Sequence, residues 1–352
     1  MGMDANGSPR DRRGFALRLG ISLGIGAGFA WMLGRGGLPI VPEPEAFAEL
    51  APWAVPIYLL TLVGVHWFRA ARWRFLLQPV GEVRLRDVVS TSFAGFAAIL
   101  FLPLRMGEVV RPYLVAKRGA VRGWEAAGTV AAERVIDGLV LSAVLFVGLV
   151  TTTALDPLPD RVGSLAVPVS TVPRAAYGAL GLFAACFLLM VVFYRWRGLA
   201  LRLTRASLGR LSPRLGERAA GVLERVVAGL SFLPRARQLA PFLLETGCYW
   251  TLNAAGLWLL AQGCGLQAVG FGQACVVMGC IGIGILVPAG PGYFGTFQIS
   301  AYLALAMYVP PERVAVSGAA YVFIAYVSQL GQHLAGAGVG ALLDLRRPGK
   351  TG

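Results

Sequence analysis

Apolar stretches long enough to cross a bilayer recur along this chain, and they constrain its fold more than any other feature. They run about Leu19 to Leu33, Ala51 to Phe68, Ala126 to Thr152, Ala175 to Tyr194, Leu239 to Ala261 and Val314 to Leu343. A helix of about 20 apolar residues spans a hydrocarbon core of ~30 Å. Inside lipid each backbone N–H and C=O must be satisfied within the structure itself. The expected fold is therefore all-α, a polytopic membrane bundle of about six full spans. Composition agrees: 56% of residues are hydrophobic, 14% are charged and mean hydropathy is +0.65, where a soluble domain carries roughly a quarter charged residues.

The net charge of +14 does not point to nucleic acid, because the arginines lie in blocks between apolar segments, as the positive-inside rule places them. With both termini in the cytoplasm, 27 of the 32 lysines and arginines fall on that side. The N-terminal order, Arg10 to Arg18 and then Leu19 to Leu33, is that of a signal peptide, yet no clean small-x-small cleavage site follows. It reads as a retained first helix. The five cysteines show no CxxC spacing, so neither a disulfide framework nor a zinc site is indicated. His66 and His333 are far apart in sequence, and neither is expected to be a metal ligand. HExxH, P-loop, GxSxG and nucleotide fingerprints are missing. The chain is accordingly read as a non-enzyme that calls for no cofactor and no metal.

Two stretches break the apolar pattern. Val88 to Leu102 is roughly fifteen residues, about 22 Å of helix and short for a span. It leads into Pro103, Arg105, Gly107, Glu108 and Arg111, with basic residues on both flanks. That is the pattern of a segment that enters and leaves on one side. Phe271 to Val287 likewise breaks at Pro288 to Gly292 and returns as Tyr293 to Tyr308. Residues 51–152 and 239–343 then form two units of opposite topology, each with a re-entrant hairpin, in an inverted-repeat arrangement within one domain, 1–352. Free backbone groups at such breaks are tolerated only around a cavity, which is a transporter architecture. Arg195 to Arg237 between the units is basic, with Leu199, Leu203, Leu208, Leu215, Val222, Val226 and Leu230 at helical intervals. It reads as a cytoplasmic amphipathic helix on the anionic lipids of the inner leaflet.

Charges at membrane depth are candidate functional groups. Arg105, Glu108 and Arg111 are three residues apart and share a helical face. They would clamp a phosphate or carboxylate, or else sit at the interface. Glu133, Arg134 and Asp137 form either a local ion pair or a substrate contact, and Arg134 could also reach Glu108 across a cavity. Pro288, Gly292, Gly295 and Gln298 would aim backbone amides at an anion, or simply pack a tight turn. Glu245 is a lone acid, readable as a proton site, an arginine's partner or a packed neutral carboxyl.

Four of these motifs together, RWRFLL (Arg72 to Leu77), PLRMGEVVRPYLVAKR (Pro103 to Arg118), ERVIDGL (Glu133 to Leu139) and PAGPGYFGTFQ (Pro288 to Gln298), resemble the successive signatures of the lysylphosphatidylglycerol synthase transmembrane family. The resemblance covers essentially the whole chain. It implies a helical bundle with re-entrant helices that, in the bifunctional members, moves aminoacylated phosphatidylglycerol between leaflets. Two departures stand out. The second re-entrant motif of the family is closer to PGGxGxxE, and here Tyr293 replaces a glycine and Gln298 the acid. The chain also ends about ten residues after its last span, so neither an aminoacyl-transferase domain nor synthesis of lysyl-lipid is expected. The resulting expectation is a lipid flippase of the bacterial inner membrane that moves an anionic phospholipid or lipid-linked intermediate. A membrane-embedded head-group transferase and a non-transporting accessory subunit are the alternatives, and a homo-oligomer stays open.

Overall fold

A computed structural model describes residues 9–102, 107–119, 121–166, 168–210 and 212–345. Among the described residues the chain is helical and contains no strand. Helix α1 (Pro9–Arg35) is followed by α2 (Ala54–Ala71), a one-turn continuation α3 (Trp73–Leu77), and the pair α4 (Leu85–Phe101) and α5 (Gly107–Lys117). Next come α6 (Gly123–Thr151), α7 (Thr171–Arg195), α8 (Arg197–Gly209), α9 (Pro213–Ala228) and α10 (Ala236–Gly263). The last segment holds α11 (Phe271–Gly284), α12 (Thr296–Leu305), the short α13 (Pro311–Ala315) and α14 (Ser317–Leu345).

Five helical stretches, Leu17–Arg35, Ala54–Leu77, Gly123–Thr151, Thr171–Arg195 and Pro311–Leu345, are long and apolar enough to cross a membrane. Helix α10, expected as a sixth span, has the length but carries Glu245, Thr246 and Asn253 and is not among the five. Glu245 and Thr246 have partners in Arg74 and Arg72, just beyond α2, and α10 packs along α2 itself. Small residues make that contact close: Gly256 stands against Thr61 and Tyr58, and Gly263 against Ala54, and helices approach where side chains are small.

At each of the two broken stretches a pair of helices packs together, α4 with α5 and α11 with α12. Helix α4 ends where Leu102 turns extended, φ −90° and ψ 129°, the conformation imposed on a residue that precedes proline. Helix α5 then packs back on α4. Gly107 lies against the backbone of Ala98 and Ile99, where a side chain would have no room. In the second hairpin α11 ends at Gly284, a 3-10 turn covers Pro291–Tyr293, and α12 returns along α11. The turn needs left-handed backbone at Gly292, Tyr293 and Gly295, with φ of 66°, 64° and 94°. Glycine adopts this at no steric cost, whereas tyrosine is strained there.

The two segments interlock. Helix α4 of the first hairpin packs on α14, and α11 of the second packs on α6. The end of α5 is tied to the end of α14 by Arg118, which bonds Asp344 at 2.8 Å and Ser90 at 2.8 Å. Arg86 adds a bond to the Leu343 carbonyl. The end of α12 is tied to that of α6, through Thr152 and Tyr308 at 2.8 Å and through the Leu155 N–H to the Met307 carbonyl at 2.8 Å. Helix α1 rests on the second break, where Ser22 donates to the Ala289 carbonyl at 3.2 Å and Gly26 lies against Gly290.

One expectation is refined. Arg195 to Arg237 forms two helices, α8 and α9, packed on each other, where one amphipathic helix was expected. Helix α9 turns its apolar face to α6, with Ala220 and Val227 buried. Periodicity reveals that a helix has an apolar face, and it does not say what covers that face.

Candidate functional site

The charged residues of α2, α5 and α6 converge. Glu133 and Asp137, one helical turn apart on α6, point to the same side, and Arg72 enters from the α2 to α3 junction, where the helix is interrupted. Its guanidinium grips Asp137 with both amino groups, at 2.7 and 2.6 Å, and reaches Glu133 at 3.1 Å and the Thr246 hydroxyl of α10 at 2.9 Å. Arg111 of α5 bonds the other oxygen of Glu133 at 3.0 Å, and Arg134 bonds Glu133 at 2.9 Å and Asp137 at 3.2 Å. Glu133 thus serves three arginines. The Arg72 and Glu133 side chains are fully buried, and that of Arg111 is nearly so. Aromatic faces complete the enclosure: Arg111 lies 4.4 Å from the Trp73 ring centre and Arg72 4.9 Å from that of Tyr249, arrangements that favour a cation. Trp73 is itself held by its N–H to Thr129 at 2.9 Å.

Arg111 reaches Glu133 past Gly95 of α4, whose Cα lies against the arginine's aliphatic stem. A Gly95→Leu substitution should therefore push Arg111 off its partner and lower stability by about 1–3 kcal/mol, the cost of overpacking. Thermal unfolding in detergent would register this, and equal midpoints for the variant and wild type would refute the packing account.

Beside this network lies a cavity of about 290 Å³. One end is charged, lined by Arg69, Glu108, Arg134 and Asp137, with Tyr249, Asn253, Gln329 and His333 adding polar groups. The walls are apolar, including Leu141, Phe183, Leu257, Met278 and Ile281. Arg69 stacks on Phe96 at 4.3 Å and pairs with no carboxylate among the described residues. His66 and His333 meet as an edge-to-face pair 4.9 Å apart, each bonded through Nδ1 to a backbone carbonyl of its own helix. Among the described residues no group of three or more His, Cys, Asp or Glu side chains is arranged to hold a metal ion.

The sequence-derived candidates divide accordingly. Glu108, Arg134 and Asp137 line the cavity, while Glu133 and Arg111 stand behind it in the ion network. Arg105 and Pro103 lie outside the described residues. Arg134, considered as a partner for Glu108, bonds Glu133 and Asp137, and Glu108 lines the same cavity. From the second break, Tyr293 and Phe297 line the cavity, and Gly292 faces Leu100 of α4, so the two hairpins meet. Pro288 lines a smaller cavity of about 150 Å³ that shares Ile285, Leu286 and Tyr293 with the first. The amides of Gly290 and Gly295 are spent within the turn, on the Phe294 carbonyl at 3.1 Å and the Gln298 side chain at 2.8 Å. Gln298 therefore caps α12 at the place where an acid was expected. Glu245 pairs with Arg74 at 2.7 Å.

Arg69 and Arg72 are site residues that the sequence does not single out as such. The available signal was the RWRFLL motif itself, in which Arg72 and Trp73 both prove to be buried.

The chain matches the family described as the lysylphosphatidylglycerol synthase TM region over residues 16–331, and it belongs to that family. A protein of Haloferax volcanii named Glycosyltransferase AglD is 28% identical over 298 residues. The match takes in 78% of this chain and 46% of that protein, so the chain spans less than half the length of this relative. No solved structure matches the chain.

Proposed function

We propose that this member of the lysylphosphatidylglycerol synthase transmembrane family is a lipid transporter, moving an anionic phospholipid or lipid-linked intermediate between the leaflets of the bacterial inner membrane, with both termini cytoplasmic. The observation that carries the reading is the cavity, whose charged end is joined to apolar walls and which is lined from both hairpins. A lipid has that same division of character. Arg69 and Arg134 are the cations available to a head-group phosphate, and guanidinium matches the geometry of phosphate oxygens. The buried network of Arg72, Arg111, Glu133 and Asp137 holds α5 and α6 in register behind them, and Arg105 at the first break is proposed as a further contact.

The reciprocal packing supports an inverted repeat with re-entrant hairpins. Helices α2, α4, α5 and α6 correspond to α10, α11, α12 and α14. Under this exchange the contact of α4 with α14 becomes that of α11 with α6. The tie between the ends of α5 and α14 likewise becomes that between α12 and α6. In a transporter built this way the two ties would part alternately as the cavity opens to one side and then the other.

Reconstitution with labelled phosphatidylglycerol or polyprenyl phosphate tests the proposal. Leaflet exchange should appear with the wild type and fall roughly tenfold for Arg69→Ala, the loss of one charge-assisted contact, without a change in thermal midpoint. Equal exchange in both proteins would sink it. The name of the Haloferax relative favours a second reading, a membrane-embedded transferase acting on lipid head groups with Glu108 as base. Lipid mass spectrometry of a deletion strain separates the two: a missing modified lipid supports transfer, and a lipid merely displaced to the wrong leaflet supports transport.

A further inference from the structure

Helix α8 has a face that none of the other described residues covers. Trp196, Leu199 and Leu203 form one stripe along it, and they are 58%, 48% and 59% exposed. The flank beside the stripe, with Ala200, Leu201 and Thr204, is partly buried, and α9 is the helix that α8 packs against. The sequence of α8 contains Arg197, Arg202 and Arg205 and no acidic residue, and Arg195 and Arg210 flank it. Arg202 and Arg210 border the apolar stripe, while Arg205 turns towards α9 and pairs with Glu217 at 3.2 Å.

Position decides what covers this face. Helix α7 is among the most apolar of the spanning helices, and it ends at Arg195; the chain bends at Trp196, φ −112° and ψ 36°, and α8 begins at once. A helix that starts where a span leaves the hydrocarbon lies within a turn of the lipid head groups. Nor is α8 a loose appendage. Helix α9 is seated on α6, with Gly128 against the backbone of Val226 and Gly229 against that of Glu125, and α9 fixes the direction in which α8 lies.

We propose that α8 is a foot that rests on the head-group surface of an anionic leaflet, with Trp196, Leu199 and Leu203 inserted at the acyl boundary and Arg197, Arg202 and Arg210 on the phosphates. Apolar area and basic charge together set the strength of such contacts, and the tryptophan is suited to that boundary because its ring is apolar and its N–H is polar. The work of α9 is different: it braces the foot against α6, the helix that carries Glu133, Arg134 and Asp137.

The full chain can be reconstituted in phosphatidylcholine vesicles with and without phosphatidylglycerol, using lipids brominated near the head group as quenchers. The difference between wild type and Trp196→Phe isolates the emission of Trp196. Quenching of Trp196 by the brominated lipid should be strong in vesicles containing phosphatidylglycerol. It should fall about two-fold when Arg197, Arg202 and Arg210 are all changed to glutamine, or when salt is raised. Quenching of Trp196 by aqueous iodide with no response to brominated lipid would overturn the proposal. So would equal quenching in the two vesicle types, or cross-linking of Leu203→Cys to a second copy or another protein in the membrane.

Discussion

Glu133→Ala is expected to remove most of the folded protein from the membrane. This single carboxylate accepts from Arg72, Arg111 and Arg134, and its side chain has no exposed surface. Truncating it leaves guanidinium groups in a site with little access to water. Removing one partner of a buried pair costs about 3–5 kcal/mol, and here three arginines lose the same partner while only Arg72 and Arg134 keep Asp137. That is comparable with the whole stability of many domains, about 5–15 kcal/mol. The measurement is the yield of monodisperse protein in detergent together with the thermal midpoint. Wild-type behaviour in both would show that the network contributes little.

The second large effect is that of Arg72→Met, which should cost about 3–5 kcal/mol by leaving Asp137 without its bidentate partner. The sign of the remedy is informative. Replacing both members of a buried pair by apolar residues of similar volume is often neutral or stabilising, so Arg72→Met with Asp137→Leu should regain at least part of what the single change loses. A double-mutant cycle measured by thermal unfolding would give the coupling, and strict additivity would mean that the two side chains do not depend on each other. Arg72 also touches Thr246 of α10. The double variant should therefore restore folding and still disturb leaflet exchange, if the register of α10 against α6 shapes the cavity.

Much of the architecture was legible in the sequence because its causes are local. The apolar run from Ala175 to Tyr194 becomes α7, Thr171–Arg195, and all the other runs but the first, whose helix begins earlier at Pro9, agree as closely, since lipid rewards unbroken apolar helix residue by residue. Both helix pairs were readable from clustered proline and glycine, which together interrupt an apolar helix where it turns back. Glu108, Arg134 and Asp137 were found because a charge at membrane depth is costly wherever it sits. Arg72 was not recognisable as a site residue for an equally physical reason. An arginine next to a tryptophan at the end of an apolar run has the signature of a membrane interface, and nothing local shows that carboxylates 61 and 65 residues further on will reach it.

The pairing of His66 with His333 and the covering of α9 by α6 belong to the same class. By itself, the sequence determined that the chain is a membrane bundle, where its helices run, where two of them break, and which charges need a partner. Only the tertiary structure decided who those partners are, which arginine is locked in the core and which faces the cavity, because these contacts are set by how the helices pack. A guanidinium carries the same charge at every position in the chain, and whether it binds a carboxylate or faces the cavity depends on what the neighbouring helix brings within about 3 Å.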